Sequence, residues 1–227
     1  YTCTLAGDDA ADFSASISGK VCTVVWAAAP NYESPADDDT DNVYDITIAF
    51  SDGTNDLAAQ TTAVTVTDTN DQTPAVSVAS TYSQAEATAT TFQTYTITDS
   101  DTTGTYTCTL AGDDAADFSA SISGKVCTVV WAAAPNYESP ADTGTNNVYD
   151  ITIAFSDGTN PLAAQTTAVT VTDVNDQTPT YSGGDVTPSV LEGTTAVDLF
   201  TVVDTDTGDV NACTLGGADS ASFGCAV

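Results

Sequence analysis

Apolar and β-branched positions in this chain come in short runs, several of which alternate with Thr or Asp. In TFQTYTITDSD (91–101) Phe92, Tyr95 and Ile97 alternate imperfectly with Thr. YTCTL (106–110), KVCTVVW (125–131), VYDITIAF (148–155) and TTAVTVTD (166–173) are short and rich in β-branched residues. Runs of this kind predict strands. The Gly/Asn/Pro stretch SDGTNPL (156–162) separates two of them as a hairpin connection does. No segment of ten or more residues shows a helical period with caps. About seven strands in 105 residues, with a turn every ten or so, predict an all-β fold of Greek-key β-sandwiches.

The same pattern occurs more than once. Residues 1–74 match residues 106–179 at every position but five, where Asp38, Asp39, Asp41, Asp56 and Thr69 face Thr143, Gly144, Asn146, Pro161 and Val174. The period of 105 residues is that of a whole domain rather than a solenoid repeat. All five differences fall in acidic, Gly- or Pro-containing stretches that read as loops. From about Thr180 a diverged third copy begins, in which NACTLGG echoes TYTCTLAG. The chain thus divides into the C-terminal part of one domain (1–73), a complete domain (74–178) and the N-terminal part of a third (179–227), as a portion of a longer parent protein would be cut. Trp26 and Trp131 end equivalent strands and read as core anchors, with ligand stacking as the alternative.

Charge narrows the range of partners. The 227 residues hold 32 acids against two lysines, with no Arg and no His, for a formal net charge of −30. With no basic surface to meet phosphate, nucleic acid and anionic membranes are poor partners, and cations or a saline setting are good ones. No apolar run approaches the ~18 residues of a membrane span, so no membrane insertion is expected in this segment. The lack of His removes the imidazole base, so the chain reads as a non-enzyme.

Cys3 and Cys22 are nineteen residues apart, as are Cys108 and Cys127. Neither pair has the C-x-x-C form of a zinc or redox site, and intradomain disulfides formed in an oxidising compartment are the expectation, with buried free thiols as the alternative. Cys225 aligns with Ala120 rather than with Cys127, so its pairing with Cys213 is the weaker assignment.

The acids themselves form a pattern. TDTNDQTP (67–74) returns as TDVNDQTP (172–179), and 31 residues after Asp68 and Asp173 come Asp99-Ser-Asp101 and Asp204-Thr-Asp206. Glu86 and Glu192 lie eighteen and nineteen residues beyond the linker Asp. Between these landmarks the second and third copies differ almost everywhere, so the acids hold register while apolar neighbours change. In extended chain, Asp68 and Asn70 face one side and Asp71 the other, and Pro74 and Pro179 stiffen the connection. Crowded carboxylates repel unless a cation neutralises them, and so many hard oxygens suit Ca²⁺ better than Mg²⁺.

These residues resemble the cadherin repeat, especially its bacterial and archaeal relatives. The D-x-N-D-x-x-P linker, the D-x-D motif, the glutamate of PNYESPAD (Glu33, Glu138), the first-strand glutamate (Glu86, Glu192) and the strand-end aspartate (Asp52, Asp157) carry the likeness. The resemblance implies Ca²⁺ ligands at two junctions. The first takes Glu33, Asp68, Asn70, Asp71, Asp99, Asp101 and Asp157; the second takes Glu86, Glu138, Asp173, Asn175, Asp176, Asp204 and Asp206. Asn31 and Asn136 depart from the family's Asp, and Gln72 and Gln177 from its usual Asn. The function this implies is an extracellular, calcium-rigidified rod or filament that continues in a longer fibre or self-associates. The alternative is a calcium-dependent adhesion module that binds a cell-surface partner or a glycan.

Overall fold

The structure is a computed structural model and describes residues 1–87, 91–210 and 212–225. Its fourteen strands are β1 (Thr2–Ala6), β2 (Phe13–Ser18), β3 (Val21–Trp26), β4 (Val43–Ser51), β5 (Gln60–Thr65), β6 (Thr81–Ala85), β7 (Thr91–Thr96), β8 (Thr107–Ala111), β9 (Phe118–Ser123), β10 (Val126–Trp131), β11 (Val148–Ser156), β12 (Gln165–Thr172), β13 (Thr180–Gly183) and β14 (Phe200–Val203). The helical elements among the described residues are 3₁₀ turns at Ala10–Asp12, Ala115–Asp117 and Ser220–Ser222. The fold is an all-β sandwich, as the alternation predicts.

The chain divides into two compact units. The first comprises residues 1–76, 96–107 and 155–163, and the second residues 77–95, 108–154 and 164–227. In the second unit, β6-β12-β11-β8 form one sheet and β7-β10-β9 the other. Their inner faces meet through aromatic rings: Phe118 and Trp131 lie 4.2 Å apart between centroids, and Trp131 meets Tyr149 of the opposite sheet edge-on at 4.9 Å. Inward positions alternate along each strand, with Cys127, Val129 and Trp131 on β10, Tyr149, Ile151 and Ile153 on β11, and Val169 and Val171 on β12. The Cys108–Cys127 disulfide ties β8 of one sheet to β10 of the other. β9 and β10 close over the two-residue Gly124-Lys125 turn, with Gly124 at φ +56°, a left-handed value that primed hairpin turns require.

In the first unit β1-β4-β5 and the β2-β3 hairpin repeat the arrangement of β8-β11-β12 and β9-β10. Phe13, Tyr44 and Ile46 form the buried centre, with Leu5, Trp26, Val64 and Val66 packed against it. Cys3–Cys22 bridges its two sheets, and Cys213–Cys225 closes a short loop in the third copy. All three pairings agree with the sequence expectation. Both tryptophans pack against a core phenylalanine: the partly covered Trp26 stacks on Phe13, and the buried Trp131 lies tilted against Phe118.

Two strand readings change at their edges. β6 and β9 are strands with no strong apolar run: TYSQA and FSASIS are rich in Ser and Thr, and their pairing to β12 and β10 decides their state. Conversely, the run 91–101 leaves the sheet at Thr96 and keeps only an isolated bridge between Thr98 and Ala75. That bridge is what the 31-residue acid spacing measures. Pairing Ala75 with Thr98 puts segment 68–74 beside 99–101, and pairing Thr180 with Val203 does the same for 173–179 and 204–206.

Candidate metal centres

The linker acids of each unit gather into one cluster, assembled wholly from that unit's own residues. In the first unit, one carboxylate oxygen each from Glu33, Asp71 and Asp101 lie within 4.8 Å of one another, and so do oxygens of Asp99, Asp101 and Asp157. Asp101 and Asp157 are fully buried, and Asp101 belongs to both groups, so the two form one site. Backbone amides aim most of these side chains. Gln72 N–H donates to Asp101 Oδ2 at 2.9 Å, and the Thr159 and Asn160 amides donate to Asp157 Oδ1 at 2.7 and 2.6 Å. Tyr106 OH holds Asp99 Oδ2 at 3.0 Å.

Asp68 is gripped through Oδ2 by the Thr102 amide and hydroxyl, both at 2.5 Å. The Thr102 hydroxyl is the main reason its carboxyl sits below the usual range. Asn70 donates from Nδ2 to the Asp157 carbonyl and accepts at Oδ1 from Asn160. The other Asn160 contacts, to Gln72 O and Asp157 Oδ2, make it a clamp between the two segments. Sequence reading misses Asn160 because it carries no charge and sits inside an ordinary turn.

Glu33 approaches from the loop that Asn31 caps, with Asn31 Oδ1 accepting from the Glu33 and Ser34 amides. The asparagine that departs from the family pattern therefore shapes the loop. Hydrogen bonding by its own amide pulls the Glu33 carboxyl down, but burial and the Asp71, Asp68 and Asp101 carboxylates outweigh it and hold the group above its ordinary value. Asp71 and Asp68 thus act on the same glutamate. The expectation that they face opposite sides of an extended linker is corrected, because the backbone bends at Asn70 and Gln72 and breaks the two-residue alternation.

The second unit repeats the plan. Glu86 comes directly after β6, whose parallel pairing with β12 places it beside Thr172; its amide donates to the Thr172 carbonyl at 3.0 Å. Its two oxygens accept from the Tyr137 and Val174 amides at 2.7 and 2.8 Å. Oxygens of Glu86, Glu138 and Asp173 lie within 4.8 Å of one another, as do those of Glu138, Asp176 and Asp206. Glu138 is common to both groups. Burial first, then the Glu86, Asp206 and Asp173 carboxylates, push its carboxyl up. Asp206 Oδ2 accepts from Gln177 N–H at 2.8 Å, and Asp204 Oδ1 accepts from the Asp206 amide at 3.4 Å. Asp173 is held by Thr207, and Asn175 donates to Asp209. Asp209, absent from the sequence reading, takes the position of Gly104 in the preceding copy.

Gln72 and Gln177 donate through Nε2 to Asp71 and Asp176, both at 2.6 Å, and so orient the linker aspartates. Glu192 is exposed, with its side chain in none of the clusters described; Asp52 is exposed and caps its own turn through the Thr54 and Asn55 amides.

Both clusters contain carboxylate oxygens that are buried yet accept no hydrogen bond: Glu33 Oε1 and Asp68 Oδ1 in the first, both oxygens of Glu138 with Asp173 Oδ1 and Asp206 Oδ1 in the second. A buried anionic oxygen without a donor is costly. The chain has only two cationic side chains, Lys20 and Lys125, to set against 32 acids. The donor set is all oxygen, the geometry converges, and the residues fit a hard divalent cation.

No protein-family model matches the chain, and no curated protein does. Solved structures do. Mouse protocadherin-24 EC1–3 superposes with a TM-score of 0.60 at 19% identity, over 92% of this chain and 67% of that one. Human CDH23 EC21–23 gives 0.58 at 21% identity, over 87% and 62%. The protocadherin gammaB7 EC3–6 cis-dimer structure gives 0.58 at 22% identity, over 91% of this chain and 49% of that one, so the chain spans about half of its length. At such identities the likeness speaks for architecture alone, and the architecture is plain: the chain has the cadherin-like repeat fold.

Proposed function

We propose that the chain is part of an extracellular structural rod of tandem cadherin-like repeats (1–73, 74–178 and 179–227), stiffened by Ca²⁺ at the two acid clusters. The observation that carries this is the set of buried, donorless carboxylate oxygens converging in each cluster. Glu33, Asp68, Asn70, Asp71, Asp99, Asp101 and Asp157 would hold the ions of the first, and Glu86, Glu138, Asp173, Asn175, Asp176, Asp204 and Asp206 those of the second. Bound Ca²⁺ supplies the positive charge and the six to eight coordination places that such oxygens satisfy. It also ties a linker to the loops on either side of it, which is how an ion turns a flexible connection into a stiff one.

An extracellular setting is supported by the three disulfides, which persist in oxidising compartments. No helix among the described residues is long and apolar enough to cross a membrane. The near-identity of two copies favours repetitive length over recognition of a distinct ligand. Repeating one rigid-body step gives a straight or helical rod, in which strands of about eight residues at ~3.3 Å each span ~26 Å of every step and the end loops and linker supply the rest. Self-association is part of the reading, since the similar protocadherin gammaB7 EC3–6 structure is a cis-dimer. Nothing in the comparisons supports a glycan partner.

The test is small-angle scattering and calorimetry on the same chain, with millimolar Ca²⁺ and with chelator. Calcium should narrow the distribution of end-to-end distances and raise the melting temperature. Identical scattering and identical transitions in the two conditions would rule the reading out.

A further inference from the structure

The acid-rich loop of the first copy, DDDTDN (37–42), lies outside both clusters and has a natural control. Its counterpart is DTGTNN (142–147), so three carboxylates have become Thr143, Gly144 and Asn146 while Asp37 and Asp142 are shared. The backbones agree. Thr40 and Asn42 have φ of 58° and 65°, and Thr145 and Asn147 have 48° and 61°. The Asp41 amide donates to Asp37 Oδ2 at 2.7 Å, and the Asn146 amide to Asp142 Oδ2 at 2.9 Å. Both loops are moored in the same way to a buried aspartate of the 3₁₀ turn: Asp38 N–H to Asp9 Oδ1 at 2.9 Å, and Thr143 N–H to Asp114 Oδ1 at 2.7 Å. The loop conformation therefore does not depend on the extra acids, and their presence calls for another explanation.

In the first copy, carboxylate oxygens of Asp37, Asp39 and Asp41 lie within 4.8 Å of one another. A surface cluster of acids alone would mean little. Here, however, Asp37 is only 3% exposed, and its Oδ1 is buried and accepts no hydrogen bond. In the sibling loop the same oxygen, Asp142 Oδ1, accepts from the Asn147 amide at 3.1 Å. The buried oxygen is thus satisfied in the loop that lacks the extra carboxylates and unsatisfied in the loop that has them.

We infer that loop 37–41 is an additional divalent-cation site, specific to the first copy and absent from the second, in which Asp37, Asp39 and Asp41 supply the carboxylate oxygens. Alternate spacing of three aspartates presents oxygens to one point, as in positions 1, 3 and 5 of helix-loop-helix calcium loops. The bidentate glutamate at position 12 of such loops is missing, since Ile48 stands there. Three carboxylates on an open loop, completed by water, place the affinity in the weak extracellular range of ~10⁻⁴–10⁻³ M. The site is independent of the two linker clusters and adds an ion to one copy alone.

Amide chemical shifts of the full chain during a Ca²⁺ titration test it. Amides of residues 38–43 should move and saturate, while those of 143–148 stay still. In the double variant Asp39→Gly, Asp41→Asn, which imports the sibling's own residues, the response of 38–43 should disappear, and that of 70–72 and 175–177 should be unchanged. The reciprocal variant Gly144→Asp, Asn146→Asp should gain a response at 143–148; the Cβ added at 144 meets only the Asn146 side chain, at 3.3 Å. If residues 38–43 respond no more than 143–148 in the parent chain, the inference is overturned. Silence at 70–72 and 175–177 would instead count against the two clusters, so the two failures are distinguishable.

Discussion

Replacing Glu138 by Gln should have effects of opposite sign with and without calcium. Glu138 is the one residue shared by both oxygen groups of the second cluster, and both of its oxygens are buried without a donor. Its folded-state carboxyl titrates above the ordinary value of ~4.3, so the ionised form is disfavoured in the fold. That penalty is fully felt at neutral pH and is relieved as pH falls through the raised folded value. In chelator at neutral pH, Glu138→Gln removes the penalty and should melt higher than the parent. The parent should also gain stability on acidification through the carboxylate range, a gain the variant lacks from this position.

With calcium the order reverses. An ion present at about ten times its dissociation constant stabilises by roughly 1.4 kcal/mol per site through mass action. If weakening Glu138 empties both oxygen groups, the calcium increment falls by about 3 kcal/mol. At ~2–4 °C per kcal/mol for a chain of this size, that is a loss of about 6–12 °C in the calcium-dependent shift of Tm. Differential scanning calorimetry of both proteins, with Ca²⁺ and with chelator, reads all four numbers. A variant that melts lower than the parent in chelator while keeping the full calcium increment would overturn this account.

Trp131→Ala should cost ~3–5 kcal/mol and Trp26→Ala distinctly less, because Trp131 is buried to 6% exposure among Phe92, Phe118 and Tyr149 while Trp26 is only partly covered; urea denaturation of each variant measures the difference. Asp114→Ala should cost roughly 2–4 kcal/mol, since its buried carboxylate accepts from the Thr143 and Asp150 amides, both at 2.7 Å. Burial raises the Asp114 carboxyl, but these bonds win and lower it, so its contribution holds above the unfolded value of ~3.9 and is lost as pH falls; the acid limb of a pH–stability curve should flatten in the variant. Opening Cys108–Cys127 by a double Cys→Ala change should cost about 3 kcal/mol in the chain-entropy model, and non-reducing peptide mapping should show Cys3–Cys22, Cys108–Cys127 and Cys213–Cys225 bridged.

Much of the site was legible in the residues alone. Asp68, Asp99 and Asp101, with their counterparts a period later, stand out because they keep register where apolar residues drift, and register is a pattern that one chain with internal copies displays. The uncharged supports did not stand out. Asn160, Thr102 and Thr207 hold the carboxylates by hydrogen bonds, and their residue types are common in any turn of a Thr-rich chain. Alternation also misplaces Asp71, because it describes a straight strand and the linker bends at Asn70 and Gln72.

Local pattern and repetition were enough for the strands drawn from β-branched runs, the 105-residue period, the disulfide pairs and the candidate ligands. The part left to tertiary packing shows most clearly where the sequence is constant. Val24 and Val129 lie in identical strands, as do Ile48 and Ile153, yet Val129 and Ile153 are fully buried whereas Val24 and Ile48 are only partly covered. Strand β5 ends its sheet, while its twin β12 is flanked by β6, and β7 joins the sheet opposite. Identical residues cannot encode that difference locally. It comes from which segments pair beside them, and the same long-range pairing of β6 with β12 brings Glu86 to Asp173 across 87 residues of chain, a contact set by non-local pairing.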